Sequence, residues 1–185
     1  MSQGQLHLVR HGQSTWNAVR RVQGQTAHVP LTALGEQQAR QAADKLADSG
    51  AKAVYSSDLR RALQTAQPIA RALGVIVTQD QDLRERCLGR FEGQDSRDMW
   101  AAADAAWADP GWRPPGGESI HDVRDRAHRF LGHLRARASG VPVVVVTHGD
   151  TAAVIAGILR GSPADEIPWT ELANGEVVTF GAVDP

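Results

Sequence analysis

Short apolar runs alternate along this chain with longer stretches in which apolar residues recur every three or four positions. The runs are Leu6–Val9, Ala53–Tyr55, Val75–Val77, Val143–Val146 and Val177–Val183. They are rich in β-branched residues, so they read as strands covered on both faces of a mostly parallel sheet. Between them the period becomes helical. One helix is predicted from about Leu34 to Ser49, ended by Gly50, and a second from Asp58, as N-cap, to Gly74. In the second, Ala62, Leu63, Ala66, Ile69, Ala70 and Leu73 form one apolar face, and Pro68 is expected to kink or split it. A third opens at Ser119, with Asp122 at capping-box spacing, and presents Val123, Ala127, Phe130, Leu131 and Leu134. A fourth follows His148 and ends near Arg160-Gly161.

Strands alternating with helices predict a three-layer α/β/α fold around a mostly parallel central sheet, with residues 1–185 as a single domain. Sheets of this kind bind ligands beyond the carboxyl ends of their strands. Three polar motifs fall there: Arg10-His11-Gly12, Ser56-Ser57-Asp58-Leu59-Arg60-Arg61 and Thr147-His148-Gly149. The segment 93–117 breaks the pattern, being rich in Asp, Ala, Trp, Pro and Gly. It reads as a small helical excursion, or lid, over the site.

Composition narrows the class without naming it. A chain of 185 residues buries roughly 70% of its unfolded surface and needs no disulfide or metal staple. A net charge of −1 argues against general affinity for nucleic acid or anionic membranes, so an anion site must come from local placement of Arg. Cys87 is the only cysteine, and no run approaches the length of a signal peptide core or a membrane span. The expectation is a cytoplasmic protein; a homodimer is only the generic assembly for such a chain.

A histidine beside an arginine at a strand end is chemically suggestive. A neutral imidazole attacks phosphorus if its ring is oriented and the phosphate charge is neutralised. By itself the tripeptide is weak, and a hydrogen-bonded loop histidine is the plainer reading. The surrounding residues change that. The run Arg10-His11-Gly12-Gln13-Ser14-Thr15-Trp16-Asn17, then Gln23-Gly24 and Pro30-Leu31-Thr32-x-x-Gly35-x-x-Gln38-Ala39, resembles the histidine phosphatase superfamily in its phosphoglycerate-mutase-like branch. The resemblance continues through Ser56 to Ala66, Leu83-Arg84-Glu85, Gly89, Glu92-Gly93, Gly117-Glu118-Ser119 and Thr147-His148-Gly149, in the expected order over nearly the whole chain.

The resemblance implies a role for each matching residue. His11 is the nucleophile. Arg10, Arg61 and His148 clamp the transferring phosphoryl group, with Gly149 beside them, and Asn17 supports the phosphate pocket. Glu85 protonates the leaving oxygen and then activates water. No metal and no cofactor is implied, and the substrate is a small phosphorylated metabolite. Phosphoryl transfer needs alignment and charge stabilisation more than covalent chemistry, and two guanidiniums offer fixed donor forks for the equatorial oxygens. His148 adds a donor, which a bound dianion would hold protonated. Glu85 suits acid–base duty if its surroundings raise its pKa toward neutrality.

Alternatives accompany several positions. Arg60 is expected at the surface and Glu92 in a structural role. Glu118 either touches the pocket or serves a helix N-terminus. Cys87 is either reactive or a small buried residue. Trp16 is a substrate-contact candidate, while Trp100, Trp107 and Trp112 wall a leaving-group pocket or pack under the excursion. Many relatives carry an acidic residue where this chain reads Gln25-Thr26-Ala27-His28-Val29, which puts that contact in doubt. Relatives that act as mutases resemble one another in a long basic insertion and a closing tail. Here the excursion has only Arg97 and Arg113 against Asp95, Asp98, Asp104 and Asp109, and little chain follows the last predicted strand. That favours a hydrolase over mutase-type transfer. A metallophosphoesterase built on His148-Gly149-Asp150 lacks further ligand clusters, and a non-catalytic phospholigand-binding module would not need His11 and Glu85.

Overall fold

The computed structural model describes residues 4–138, 140–163, 165 and 172–182. The chain runs β1 (Gln5–Arg10), α1 (Thr15–Ala18), α2 (Ala33–Leu46), β2 (Ala53–Ser56), α3 (Arg60–Leu73), β3 (Val77–Gln79), α4 (Ser96–Ala103), α5 (Ile120–Ala138), β4 (Val143–Thr147), α6 (Gly149–Leu159) and β5 (Val177–Ala182). The sheet order is β3-β2-β4-β1-β5. The first four strands are parallel, and β5 pairs antiparallel with β1.

Successive strand residues point to opposite faces, and this splits each apolar run between two cores. Leu6, Leu8, Val143 and Val145 pack with Val123, Phe130 and Leu131 of α5 and Ile155 of α6. Val9, Val144 and Val146 pack with Val54, with Ala42 and Leu46 of α2, and with Ala62 and Ile69 of α3. An unbroken apolar run is therefore what a strand with helices on both sides requires. The predicted three-layer α/β/α arrangement is the one observed.

Four local expectations are corrected. Asp58 does not cap α3: the N-cap is Leu59, without a side-chain bond, and the Asp58 carboxylate instead receives both Nε (2.7 Å) and a terminal nitrogen (2.5 Å) of Arg84. Pro68 does not split α3, which runs unbroken to Leu73. Burial of Ala62, Ala66, Ile69 and Ala70 on both sides of the proline outweighs the hydrogen bond it forfeits. The third strand begins at Val77, not Val75, because the Val75 amide is still bonded to the Ala70 carbonyl at the end of α3. Helix α2 stops at Leu46, whose carbonyl accepts from the Ser49 hydroxyl at 2.7 Å.

The parallel register pairs Arg10 with Thr147, so the residues just beyond, His11 and His148, emerge side by side. The chain leaves β1 toward α2 on one face of the sheet and leaves β4 into α6 on the other. That divergence opens a crevice at the carboxyl ends of β1 and β4, the topological switch point of the sheet. Above it lies the excursion, containing α4 and a 3-10 turn at Asp104–Ala108. Backbone bonds from Val22 to Gln94, Gly93 to Val22 and Ser96 to Arg20 tie it to the segment after α1. Its Met99 joins Val22 and Phe91 from outside it in a third, small cluster, flanked by Leu88, Trp107 and Trp112.

Candidate active site

His11 is held from both of its backbone sides. Its amide donates to the Thr147 carbonyl at 2.9 Å, and its carbonyl accepts from the Asn174 side chain at 3.0 Å. The ring Nδ1 lies 2.7 Å from the Gly12 carbonyl oxygen. A carbonyl can only accept, so Nδ1 carries the proton and the Nε2 lone pair is free in the neutral ring. Burial pushes the imidazole well below its ordinary pKa, and the positive charge of Arg61 adds to this. His11 is thus a neutral, Nδ1-protonated imidazole.

The next residues fix that geometry. Gly12 and Gly35 approach so closely that a Cβ on Gly12 would overlap the Gly35 carbonyl, and one on Gly35 would overlap that of Gln13. Thr32 caps α2 by accepting from the Gly35 amide, and its hydroxyl returns to Gln13. The Gly12 amide donates to the Thr65 hydroxyl of α3 at 3.0 Å. Asn17 forms a capping box with Ser14 on α1: the Ser14 amide donates to Asn17 Oδ1 and the Asn17 amide to the Ser14 hydroxyl, each at 3.0 Å.

The His148 ring stands edge-on to that of His11, centroids 5.0 Å apart. It is fully buried, which together with Arg61 and His11 holds it well below its ordinary pKa; in the free protein it is neutral, not an imidazolium. Arg61, in the first turn of α3, is also fully buried and donates to the carbonyls of Gly24 (2.7 Å) and Thr26 (2.9 Å). Burial lowers its guanidinium to about 10, opposed by the charges of Glu85 and Glu92, so it stays cationic at neutral pH. Arg60 is exposed, as expected. Arg10 donates one terminal nitrogen to the Leu172 carbonyl at 2.5 Å. Among the described residues, Arg10 Nε, Arg61 Nε and both ring nitrogens of His148 are buried without a hydrogen-bond partner. Buried polar nitrogens left unpaired are costly, and an anion's oxygens are the natural partners for guanidinium donors.

Glu85 reaches this cluster from the segment after β3. The Thr147 hydroxyl donates to the Leu83 carbonyl and the Thr151 hydroxyl to the Arg84 carbonyl, both at 2.7 Å, which pins the segment against β4 and α6. The Glu85 carboxylate accepts from the amides of Arg86 (3.0 Å), Thr151 (3.3 Å) and Asp150 (3.4 Å). It sits over the first turn of α6. A Cβ on Gly149 would lie 3.5 Å from Glu85 Oε2 and 3.6 Å from the Arg10 guanidinium carbon, so acid, cation and helix start converge within a few ångströms. Burial, with the like charge of Glu85, raises the neighbouring Asp150 to about 7.

Other residues hold the walls, and some of these carried no motif signal. Glu92 is structural: its carboxylate accepts from the Gln25 and Leu88 amides and the Thr26 hydroxyl, tying down the loop in which the usual acidic residue is missing. Glu118 accepts from the Cys87 amide, Gln25 Nε2 and buried Arg126, which ties the segment after Glu85 to α5. Cys87 is half-buried, and burial raises its thiol. Trp16 packs against His28 and Arg21. It is not part of the 410 Å³ cavity that opens beside Arg10 and Gly149, which Trp100 and Trp107 do line. Among the described residues, no group of three or more His, Cys, Asp or Glu is placed to hold a metal ion, and no helix is long and apolar enough to cross a membrane.

A neutral histidine, two arginines and a carboxylate thus converge at the switch point of a mostly parallel sheet, a set of groups suited to a phosphoryl anion. Residues 6–183 match the model of the histidine phosphatase superfamily, branch 1. The chain belongs to this superfamily. A Salmonella paratyphi C protein named "Probable phosphoglycerate mutase GpmB" is 37% identical over 173 residues, covering 90% of this chain and 78% of that one. A mycobacterial glucosyl-3-phosphoglycerate phosphatase solved with VO3 superposes with a TM-score of 0.88 at 34% identity, covering 95% of this chain and 92% of that one. Bacillus stearothermophilus YhfR gives 0.86 at 32% identity, covering 95% and 90%.

Proposed function

We propose that this chain is a metal-independent phosphomonoester hydrolase that works through a phosphohistidine on His11. The observation that carries the reading is the His11 tautomer: with Nδ1 committed to the Gly12 carbonyl, the free lone pair is on Nε2. Nε2 attacks phosphorus in line as the ester P–O bond breaks. Arg10, Arg61 and His148 take the equatorial oxygens, which offers acceptors to the guanidinium donors and to the one N–H of His148 otherwise buried without partners. Glu85, as the carboxylic acid, gives its proton to the departing alkoxide. The resulting carboxylate then takes a proton from water as the water oxygen attacks phosphorus, releasing phosphate and restoring neutral His11. That a mycobacterial relative of this fold was solved with VO3, a phosphoryl-like oxyanion, supports the reading.

Mutase-type transfer is the second reading, favoured by the name of the Salmonella relatives. Against it, both bases of the excursion are spent: Arg97 pairs with Asp95 and Arg113 with Asp122. Incubation with p-nitrophenyl phosphate tests both readings. Turnover that EDTA leaves unchanged is expected, and His11→Ala should lower kcat/KM at least about a thousandfold. A quenched reaction with labelled phosphate should leave alkali-stable, acid-labile label on the wild type and none on His11→Ala. EDTA-sensitive turnover sinks the mechanism. Movement of phosphate between positions of phosphoglycerate, in place of release, restores the mutase.

A further inference from the structure

The cavity beside the phosphoryl site differs in chemistry from what a carboxylated three-carbon ester needs. Its volume is 410 Å³, within the roughly 300–1,000 Å³ typical of sites for drug-sized ligands. Its inner end is Arg10 and Gly149, and its walls are Leu88, Met99, Trp100 and Trp107. The aromatic wall is already assembled: Trp107 packs edge-on to Trp100 at 5.0 Å and to Trp112 at 4.6 Å, and against Phe91 at 5.9 Å. Such a wall offers a flat ring large contact area with little left to order on binding.

Charge points the same way. The cations among the described lining residues are Arg10, part of the phosphoryl clamp, and Arg86. Arg86 Nε donates to the Glu118 carbonyl at 2.7 Å and a terminal nitrogen to the Trp112 carbonyl at 3.1 Å, while its guanidinium lies 5.4 Å from the Trp107 ring centroid. These bonds occupy the Nε edge of its fork, the edge a side-on bidentate carboxylate would use. Asp150 contributes a carboxyl to the same cavity. Above about pH 7, where Asp150 is mostly ionised, an acid placed there meets a like charge in a partly desolvated space.

We propose that the leaving group this site accepts is an apolar, ring-bearing alcohol without a carboxylate, seated against Trp100 and Trp107, and that Asp150 turns carboxylated phosphoesters away. This rests on the phosphohistidine reading above. The cavity is the specificity element of that reaction, and phosphoglycerates are poor substrates.

Three alkyl phosphates of matched leaving-group chemistry test it on the full chain at about pH 8, where Asp150 is mostly ionised. In kcat/KM, 3-phenylpropyl phosphate should exceed glycerol 3-phosphate by about tenfold or more. Glycerol 3-phosphate should exceed 3-phosphoglycerate, which differs from it by a carboxylate in place of a hydroxymethyl, by a similar factor. Trp100 is 54% exposed, so Trp100→Ala keeps the fold and should shrink the first ratio at least about fivefold. Asp150→Asn should shrink the second, and taking ratios cancels any effect of that change on Glu85. Equal or better use of 3-phosphoglycerate, or a first ratio that ignores Trp100→Ala, overturns the proposal. If those ratios are flat while p-nitrophenyl phosphate turnover still depends on His11, only this inference fails. If no phosphoester is turned over, the phosphohistidine reading falls first and takes the inference with it.

Discussion

At the scale of single residues, the site's chemistry is set by which proton sits where. His11 should be readable directly: a long-range ¹H–¹⁵N spectrum of the free protein is expected to show the Nδ1-protonated tautomer, without titration between pH 8 and 6. That follows from the Gly12 carbonyl contact and from the burial that holds this ring well below 6.5. An Nε2-protonated ring would remove the nucleophile. Asp150 gives a second, thermodynamic readout. Its folded pKa of about 7 lies above an unfolded value of about 3.9. Between those values the folded state binds the extra proton, so stability falls as pH rises through the window and the penalty is complete above about 7. His11 and His148 act in the opposite sense, their lowered pKa values costing stability as pH drops below about 6.5. Asp150→Asn isolates the carboxyl: its melting temperature relative to wild type should climb from pH 5 to pH 8. A difference that ignores pH would show that Asp150 titrates normally.

At the scale of elements, each motif turns out to be a joint between two of them. The Pro30-Leu31-Thr32-x-x-Gly35 run was matched as a pattern, and its physical content is a helix cap and a close approach of α2 to the loop carrying His11. Gly12→Ala and Gly35→Ala each force a backbone carbonyl to move, so each should destabilise by about 1–3 kcal/mol and cut turnover through His11. Gly132→Ala on α5, where a Cβ meets nothing within 4 Å, should instead stabilise by about 0.5–1 kcal/mol. Urea titrations of the three variants check both signs. The elements themselves were legible where one local force dominates. The β-branched run of β4 and the Ser119–Asp122 capping box are cases of this. One failure came where a distant partner intervened: Asp58 reads as a cap, yet Arg84, 26 residues on, claims its carboxylate.

At the scale of the molecule, the pattern gave the position of the site, while its walls depend on contacts that no local spacing encodes. Glu85 is aimed by hydroxyls of Thr147 and Thr151, 64 and 67 residues from the carbonyls they bind. Arg61 is aimed by the carbonyls of Gly24 and Thr26. For the same reason Trp16, five residues after His11, packs on His28 outside the cavity, while Trp100 and Trp107 come to it across the fold. The two parts of the molecule also differ in what holds them. The sheet has large cores on both faces, whereas the excursion rests on three buried apolar residues, Val22, Phe91 and Met99. Regions with few buried apolar contacts open locally at a lower free energy than the global core. Hydrogen exchange followed by mass spectrometry should therefore show the amides of α4 exchanging well before those of β1 and β4 under the same conditions. Met99→Ala, which removes one of the three anchors, should speed exchange across 94–110 and leave β4 unchanged, because the cluster is separate from the sheet cores. Equal protection of α4 and β4 would mean that the excursion unfolds only with the sheet. The leaving-group cavity would then be a fixed wall of the enzyme, with no opening of its own to admit or release a ring.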